Sequence, residues 1–309
     1  MKIVFLDAAT MGSTPLLAIE RLGEFVRYDN STPEEAIERI KDADVVLLNK
    51  VEVNKEFLDA APKLKLICEA GTGMNNIDAG LCKERGIIVR NVAGYSTEAV
   101  AQHTWALILG LCNRLFLYDS FVKDGLYSKG SLHTDPAHPY TGLARKSIGI
   151  IGMGAIGSRV SKIAEAFGMK VSYFSTSGTS HCHEYPSLPL EELLIGADIV
   201  SIHAPLNERT SGLIGMKELQ LMKKTALLIN TSRGGIADEA AIVQAVDEGE
   251  IAGAGLDAYE YEPLPQDSPL LRMRHPERVI LTPHVAWANE ETRLRLANEM
   301  ARNIELGWS

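Results

Sequence analysis

Apolar positions along the chain fall into short, often β-branched runs, and a stretch of helical spacing follows most of them. A first series comprises Lys2–Leu6 (KIVFL), Asp44–Asn49 (DVVLLN), Lys65–Ala70 (KLICEA) and Ile87–Val92 (IIVRNV). A second begins at Ser147–Gly152 (SIGIIG). It continues through Lys170–Ser175, Asp198–Ala204, Ala226–Thr231, Gly253–Ala258 and Arg278–Pro283. Strand alternating with helix predicts an α/β protein, and nearly continuous apolar strands predict parallel sheets covered on both faces. From Glu98 to Leu117 apolar residues persist for about five turns, which predicts a long helix joining the two series. From Ala286 the spacing turns helical again. The pattern thus predicts a discontinuous domain, 1–97 plus 286–309, with a second domain, 98–285, inserted into it. Leu126–Thr141 is aperiodic and rich in turn formers, and is expected to be a surface loop over the domain junction.

Composition agrees with two globular domains. The 309 residues are 46% hydrophobic and 23% charged, more than one core usually serves. A formal net charge of −9 with no basic block argues against a nucleic-acid partner. Cys68, Cys82, Cys112 and Cys182 lack a CxxC pair, so reduced thiols are expected, with Cys68 and Cys112 as small core residues. The start of the chain is too short in apolar residues for a signal peptide, and Trp105–Cys112 is too short to span a bilayer. The expectation is a cytoplasmic protein with no membrane partner. His181 and His183 have no second ligand cluster nearby, and His133 and His138 fall in the irregular segment, so no metal site is expected. His103, within the long helix, is expected to be a satisfied interdomain residue.

Gly152-Met153-Gly154-Ala155-Ile156-Gly157 directly follows a strand and opens a helical stretch, the context in which G-x-G-x-x-G binds a dinucleotide. The first glycine permits the tight turn, the second admits a pyrophosphate, and the third lets helix pack on strand. The helix N-terminus then faces the phosphates. An acid is expected at the end of the next strand to hold the ribose diol. Position 175, 18 residues after Gly157, is Ser instead, followed by Thr176 and Ser177. No carboxylate there would repel a 2′-phosphate, yet no Arg stands beside it in sequence to clamp one. NAD and NADP therefore both stay open.

Three polar residues stand at the ends of late strands of the inserted domain, where α/β sheets border their ligands. Arg233 follows ALLINTS and precedes two glycines, Glu262 follows GAGLDAYEY, and His284 follows RVILTP. Arg can bind a carboxylate with two parallel hydrogen bonds. His can protonate a carbonyl oxygen as hydride arrives, with a carboxylate orienting its ring.

Taken together, GMGAIG, INTSRGG, GAGLDAYEYEP and LTPHVAW resemble the D-isomer-specific 2-hydroxyacid dehydrogenases, from Met1 to about Ile304. NKVEVN at 49–54, AGTGMNNID at 70–78 and GYSTEAVAQHTWALIL at 94–109 look most like the glycerate dehydrogenase (hydroxypyruvate reductase) branch. The resemblance implies two doubly wound parallel-sheet domains: a flavodoxin-like substrate domain and an inserted Rossmann domain. It implies that Arg233 binds the substrate carboxylate and carbonyl, and that Glu262 pairs with His284, the acid/base. Gly71, Thr72, Gly73 and Met74 would offer backbone N–H groups to the carboxylate, with Asn49, Lys50 and Trp287 lining the pocket. Asp257 would lie near the nicotinamide amide and His203-Ala204-Pro205 under the adenosine. Thr210 and Thr231, with Ser232 beside Arg233, would touch cofactor. A small 2-oxo or 2-hydroxy acid substrate and a homodimer are also implied. A nicotinamide-sensing, corepressor-like protein on the same scaffold is the alternative, while Glu262 in place of Gln argues against a formate-dehydrogenase-like reading.

Overall fold

The computed structural model describes residues 1–180 and 182–307, and within it the chain divides into two compact units. One comprises Met1–Ser96 and the chain from Ala288 onward; the other is Thr97–Trp287. Sequence reasoning puts Thr97, Ala286 and Trp287 with the first unit; the structure places all three in the second.

The first unit holds a parallel sheet of five strands, β1 (Lys2–Phe5), β2 (Glu24–Arg27), β3 (Val45–Leu48), β4 (Leu66–Glu69) and β5 (Ile88–Arg90), in the order β2-β1-β3-β4-β5. That is the flavodoxin-like order. β3 and β4 are buried along their whole length, which is why their sequences read as unbroken apolar runs. β2 (EFVR) has no such run in the sequence: it lies at the sheet edge with both ends exposed, so it needs none. Val4, Val46, Leu48, Phe57 and Ile67 pack into one core. On the helix Glu290–Glu305, Leu296, Met300 and Ile304 are buried, and this helix packs on β4. It begins at Glu290 rather than Ala286 because the Asn289 side chain caps it, accepting from Thr292 N–H at 2.8 Å.

The second unit holds six parallel strands, β6 (Ser147–Ile151), β7 (Lys170–Phe174), β8 (Ile199–Ile202), β9 (Leu227–Asn230), β10 (Gly253–Leu256) and β11 (Val279–Leu281), ordered β11-β10-β9-β8-β6-β7. Beyond β7 a single parallel bridge pairs Tyr173 with Ser187. That bridge stands where a Rossmann sheet has its third strand, so the order follows the dinucleotide-binding pattern with that strand cut to a residue and β11 added at the far edge.

The helix expected over Glu98–Leu117 breaks. It runs Thr97–Cys112, then Arg114 adopts a left-handed conformation (φ 52°), and a second helix runs Leu115–Lys123. The cause lies in burial: Ala101, Trp105, Leu107, Ile108 and Cys112 belong to the core, whereas the second helix buries no residue. No single helix among the described residues is long and apolar enough to cross a membrane. Between 126 and 141 the only regular element is a short 3-10 turn, Tyr127–Lys129. The segment is nevertheless tied down, with Tyr118 donating to the His138 carbonyl and His138 Nδ1 bonded to Asp135 at 2.7 Å.

Candidate active site

The glycine cradle in the second unit is built as its sequence requires. Gly152 has φ +91°, and a Cβ there would sit 2.9 Å from the Ala204 backbone and 3.0 Å from the His203 carbonyl carbon. The turns after β6 and β8 therefore approach so closely that only glycine fits. A Cβ on Gly157 would lie 2.3 Å from the Gly152 oxygen, which is the tight helix-on-strand packing. At Gly154 a Cβ would meet nothing within 4 Å. Gly154 caps the helix Ala155–Ala166 without any side-chain bond, which leaves the amides at Ala155, Ile156 and Gly157 without a side-chain acceptor at its N-terminus. Open space beside uncapped amides suits a pyrophosphate.

His203, at the end of β8, bonds through Nε2 to Ser201 Oγ at 2.9 Å, and its Nδ1 is sealed from solvent without a partner. Burial pulls its pKa down to about 3, so the ring is neutral. Thr210 is fully buried, and its hydroxyl donates to the Pro205 carbonyl at 2.6 Å and accepts from Asn207 N–H at 2.9 Å. It shapes the 205–210 turn from within. Thr231 likewise faces inward, its hydroxyl 2.9 Å from that of Thr104. Ser232 donates to the Ala204 carbonyl, a further tie between the turns after β9 and β8. In sequence no Arg stands near Ser175; the fold corrects this by bringing Arg209 to Ser177, where Nη1 donates to the Ser177 carbonyl at 2.8 Å.

Arg233, Glu262 and His284 stand on three adjacent strand ends, and their turns are coupled. A Cβ on Gly234 would lie 1.9 Å from the Tyr259 carbonyl carbon and 2.2 Å from Glu260 N. The turn that carries Arg233 thus rests directly on the turn that carries Glu262. The Arg233 carbonyl accepts from Asn230 Nδ2 at 2.8 Å, and its Nη1 donates to the Ser232 carbonyl at 2.9 Å. Among the described residues no carboxylate pairs with its guanidinium. Glu262 accepts from Tyr259 N–H at 3.1 Å, and both its oxygens reach His284 Nδ1, at 2.7 and 2.9 Å. Nδ1 is thereby the donor to the carboxylate, and Nε2 is the nitrogen left for chemistry.

His284 itself has φ +52°, a left-handed conformation uncommon for an L-residue. Asp257 holds the turn around it. Its buried carboxylate accepts from Thr282 Oγ1 at 2.6 Å, Val285 N–H at 2.9 Å and Ala286 N–H at 2.8 Å, bracketing His284 on both sides. Because Thr282 donates to Asp257, it accepts from His103 Nε2, 2.9 Å away. His103 is therefore satisfied inside its own unit, not between domains. Glu239, which sequence reasoning also missed, accepts from Glu260 N–H at 2.7 Å, and burial, with Glu260 nearby, raises its pKa.

Lys50, Gly71, Thr72, Gly73 and Met74 belong to the first unit, and Trp287 is half-buried in the second. The Lys50 turn hangs on Asp7, whose buried carboxylate accepts from the N–H groups of Asn49, Lys50 and Val51. Burial raises the Asp7 pKa against these bonds. The 71–74 turn is fixed by Val92 N–H donating to Gly71 O at 2.8 Å and Thr72 Oγ1 to Val92 O at 2.9 Å, with Met74 exposed. Cys68 and Cys112 are buried, and burial pushes their thiols up to about 12 and about 11. His181 lies outside the described residues; among the others no three His, Cys, Asp or Glu side chains gather as a metal site.

Known proteins share this architecture. The chain is 36% identical over 308 residues to the glycerate dehydrogenase of Methylorubrum extorquens, covering 98% of this chain and 95% of that one. An acyclic imino acid reductase solved with NADPH and D-Arg superposes with a TM-score of 0.88 at 32% identity, covering 99% and 96% of the two chains. The NADPH-dependent glyoxylate/hydroxypyruvate reductase of Sinorhizobium meliloti, solved with NADP and malonate, does so at 0.86 and 27% identity, covering 100% and 93%. Residues 105–286 match the model of the D-isomer specific 2-hydroxyacid dehydrogenase NAD-binding domain. With the glycine cradle, the two parallel sheets and the coupled strand ends, these matches make the chain a member of the D-isomer specific 2-hydroxyacid dehydrogenase family.

Proposed function

We propose that the chain reduces a small 2-oxo acid of the hydroxypyruvate or glyoxylate type to its D-2-hydroxy acid, using NADH or NADPH. The names of its relatives support the substrate class. The observation that carries the catalytic assignment is the two-oxygen grip of Glu262 on His284 Nδ1, on a turn locked through Gly234 to that of Arg233. A nicotinamide held there would supply hydride to the carbonyl carbon. His284 Nε2 donates a proton to the carbonyl oxygen and is reprotonated from solvent after product leaves. Glu262 holds the ring in orientation, and Arg233 takes the substrate carboxylate through two parallel hydrogen bonds. The uncapped amides at the start of helix Ala155–Ala166 hold the pyrophosphate. Asp257 positions the His284 turn and, by the family resemblance, would lie near the nicotinamide amide. Lys50, the 71–74 amides and Trp287 enter this reading through the family resemblance, as substrate contacts.

A cytoplasmic homodimer completes the proposal. Leu115, Phe116, Val122, Leu126, Leu132 and Tyr140 are all exposed within one segment of the second unit, apolar side chains that a second copy would cover.

The test is nicotinamide oxidation with NADH and NADPH separately, over glyoxylate, hydroxypyruvate, pyruvate and bulkier 2-oxo acids, with and without ammonia. Turnover of a small oxo acid is expected, and His284→Ala should lower kcat by about 10²–10⁴-fold. A smaller loss removes His284 from the role. Tight cofactor binding with no turnover on the panel leaves the sensor reading, and turnover only with the amine moves the substrate class to imino acids.

A further inference from the structure

The end of β7 is chemically one-sided. From Phe174 to Ser180 the chain offers Ser175, Thr176, Ser177, Thr179 and Ser180 and no carboxylate. The hydroxyls of Ser175 and Ser177 are 3.2 Å apart, and both donate to the Thr179 carbonyl, at 2.7 and 3.1 Å, closing the stretch into a tight turn. Gly178 has φ +78°, and a Cβ on it would meet only Arg209 Nη1, at 3.6 Å. In this fold the adenosine ribose lies at the end of the strand after the glycine cradle, so this turn faces the 2′ position.

Arg209 arrives from a distant part of the chain, the turn after β8. That turn is held from behind by the buried Thr210 hydroxyl and by Asn207, whose Oδ1 accepts from Arg209 N–H at 2.9 Å. Nη1 donates to the Ser177 carbonyl at 2.8 Å, which fixes the guanidinium beside the hydroxyls while using one of its several donors. Among the described residues no carboxylate pairs with it. An exposed guanidinium anchored on a backbone carbonyl, beside a row of hydroxyls, matches a phosphate and offers nothing that accepts hydrogen bonds from a ribose diol as a carboxylate does.

We propose that Arg209, with the hydroxyl of Thr176, forms the seat of the 2′-phosphate, and that this chain selects NADPH over NADH through it. The inference rests on the nicotinamide-dependent reading above and assigns the selecting cation to a turn that the glycine motif does not mark.

Equilibrium binding of NADPH and NADH, followed by nucleotide fluorescence without any substrate, tests it on wild type, Arg209→Ala, Arg209→Lys and Ser175→Asp. Wild type should bind NADPH more tightly by about tenfold or more, the worth of a charge-assisted bond at an exposed site. Arg209→Ala should lower the NADPH-to-NADH affinity ratio about tenfold, Arg209→Lys should lower it less, and Ser175→Asp should invert it. Equal binding of the two dinucleotides by wild type, or a ratio unmoved by Arg209→Ala, overturns the assignment and leaves the dehydrogenase reading standing. Failure to bind either dinucleotide overturns both.

Discussion

Replacing Gly234 by Ala is the sharpest test of whether the three strand-end turns act as one unit. The added Cβ would stand 1.9 Å from the Tyr259 carbonyl carbon and 2.0 Å from its oxygen, where ordinary contact begins near 3.4 Å. Both obstacles are backbone, so no rotamer change relieves them. Roughly 1.5 Å of separation must come from moving one turn away from the other. Glu262 takes the Tyr259 N–H and orients His284, so the displacement reaches the imidazole directly. A shift of about 1 Å in a catalytic group costs on the order of 10²-fold in rate. Overpacking of this kind costs about 1–3 kcal/mol of stability, roughly 2–4 °C in Tm for each kcal/mol in a unit of this size. Gly235→Ala is the matched control. Gly235 has φ +73°, so Ala there is strained by about 1–2 kcal/mol, but its Cβ would meet only Leu206 at 3.8 Å. Steady-state kcat and thermal unfolding on both variants separate the effects. Gly234→Ala should lose about 10²-fold in kcat and several degrees, whereas Gly235→Ala should lose stability and keep kcat close to wild type. If Gly234→Ala keeps wild-type kcat, or if the two variants lose kcat equally, the coupling of the turns is refuted.

Asp257→Asn replaces an acceptor-only group by one that must present an N–H₂ to Thr282, Val285 or Ala286. Leaving one such buried donor unmatched should cost about 1–3 kcal/mol in urea unfolding and lower kcat through the His284 turn; unchanged unfolding and kcat would discard the clamp. Phe116, 65% exposed at the start of the apolar segment, should make its Asp variant sediment as a monomer while wild type sediments as a dimer. A monomeric wild type, or a dimeric variant, removes that surface as the interface.

The apolar runs are enough to place ten of the eleven strands among the described residues, because parallel strands covered on both faces must be continuously apolar. β2 is missed because an edge strand is free of that demand, and the Thr97–Cys112 helix reads too long because Leu115 to Leu117 are apolar without being buried. A buried and an exposed apolar residue look alike in sequence. The side chains proposed for catalysis stand out for a different reason: the proposed chemistry calls for particular residue types, and Arg233, Glu262 and His284 each follow a recognisable strand.

What escapes is the layer that holds those side chains in place. Asp7, Glu239 and Asp257 each accept backbone N–H groups from a turn distant in sequence, and nothing local marks an acid as such a partner. Family resemblance makes Asp257 a cofactor contact, yet His284 has an uncommon positive φ, and the nearby strand end supplies the carboxylate that holds its neighbours. Arg209 escapes for the same reason. Its partner, Ser177, is 32 residues away, so a search for a cation along β7 itself could not find it. In this fold the strand ends converge while their sequences do not, so a residue's role there follows from which turns meet. Gly234 shows the principle from the other direction, since its missing side chain is explained only by the Tyr259 backbone lying against it.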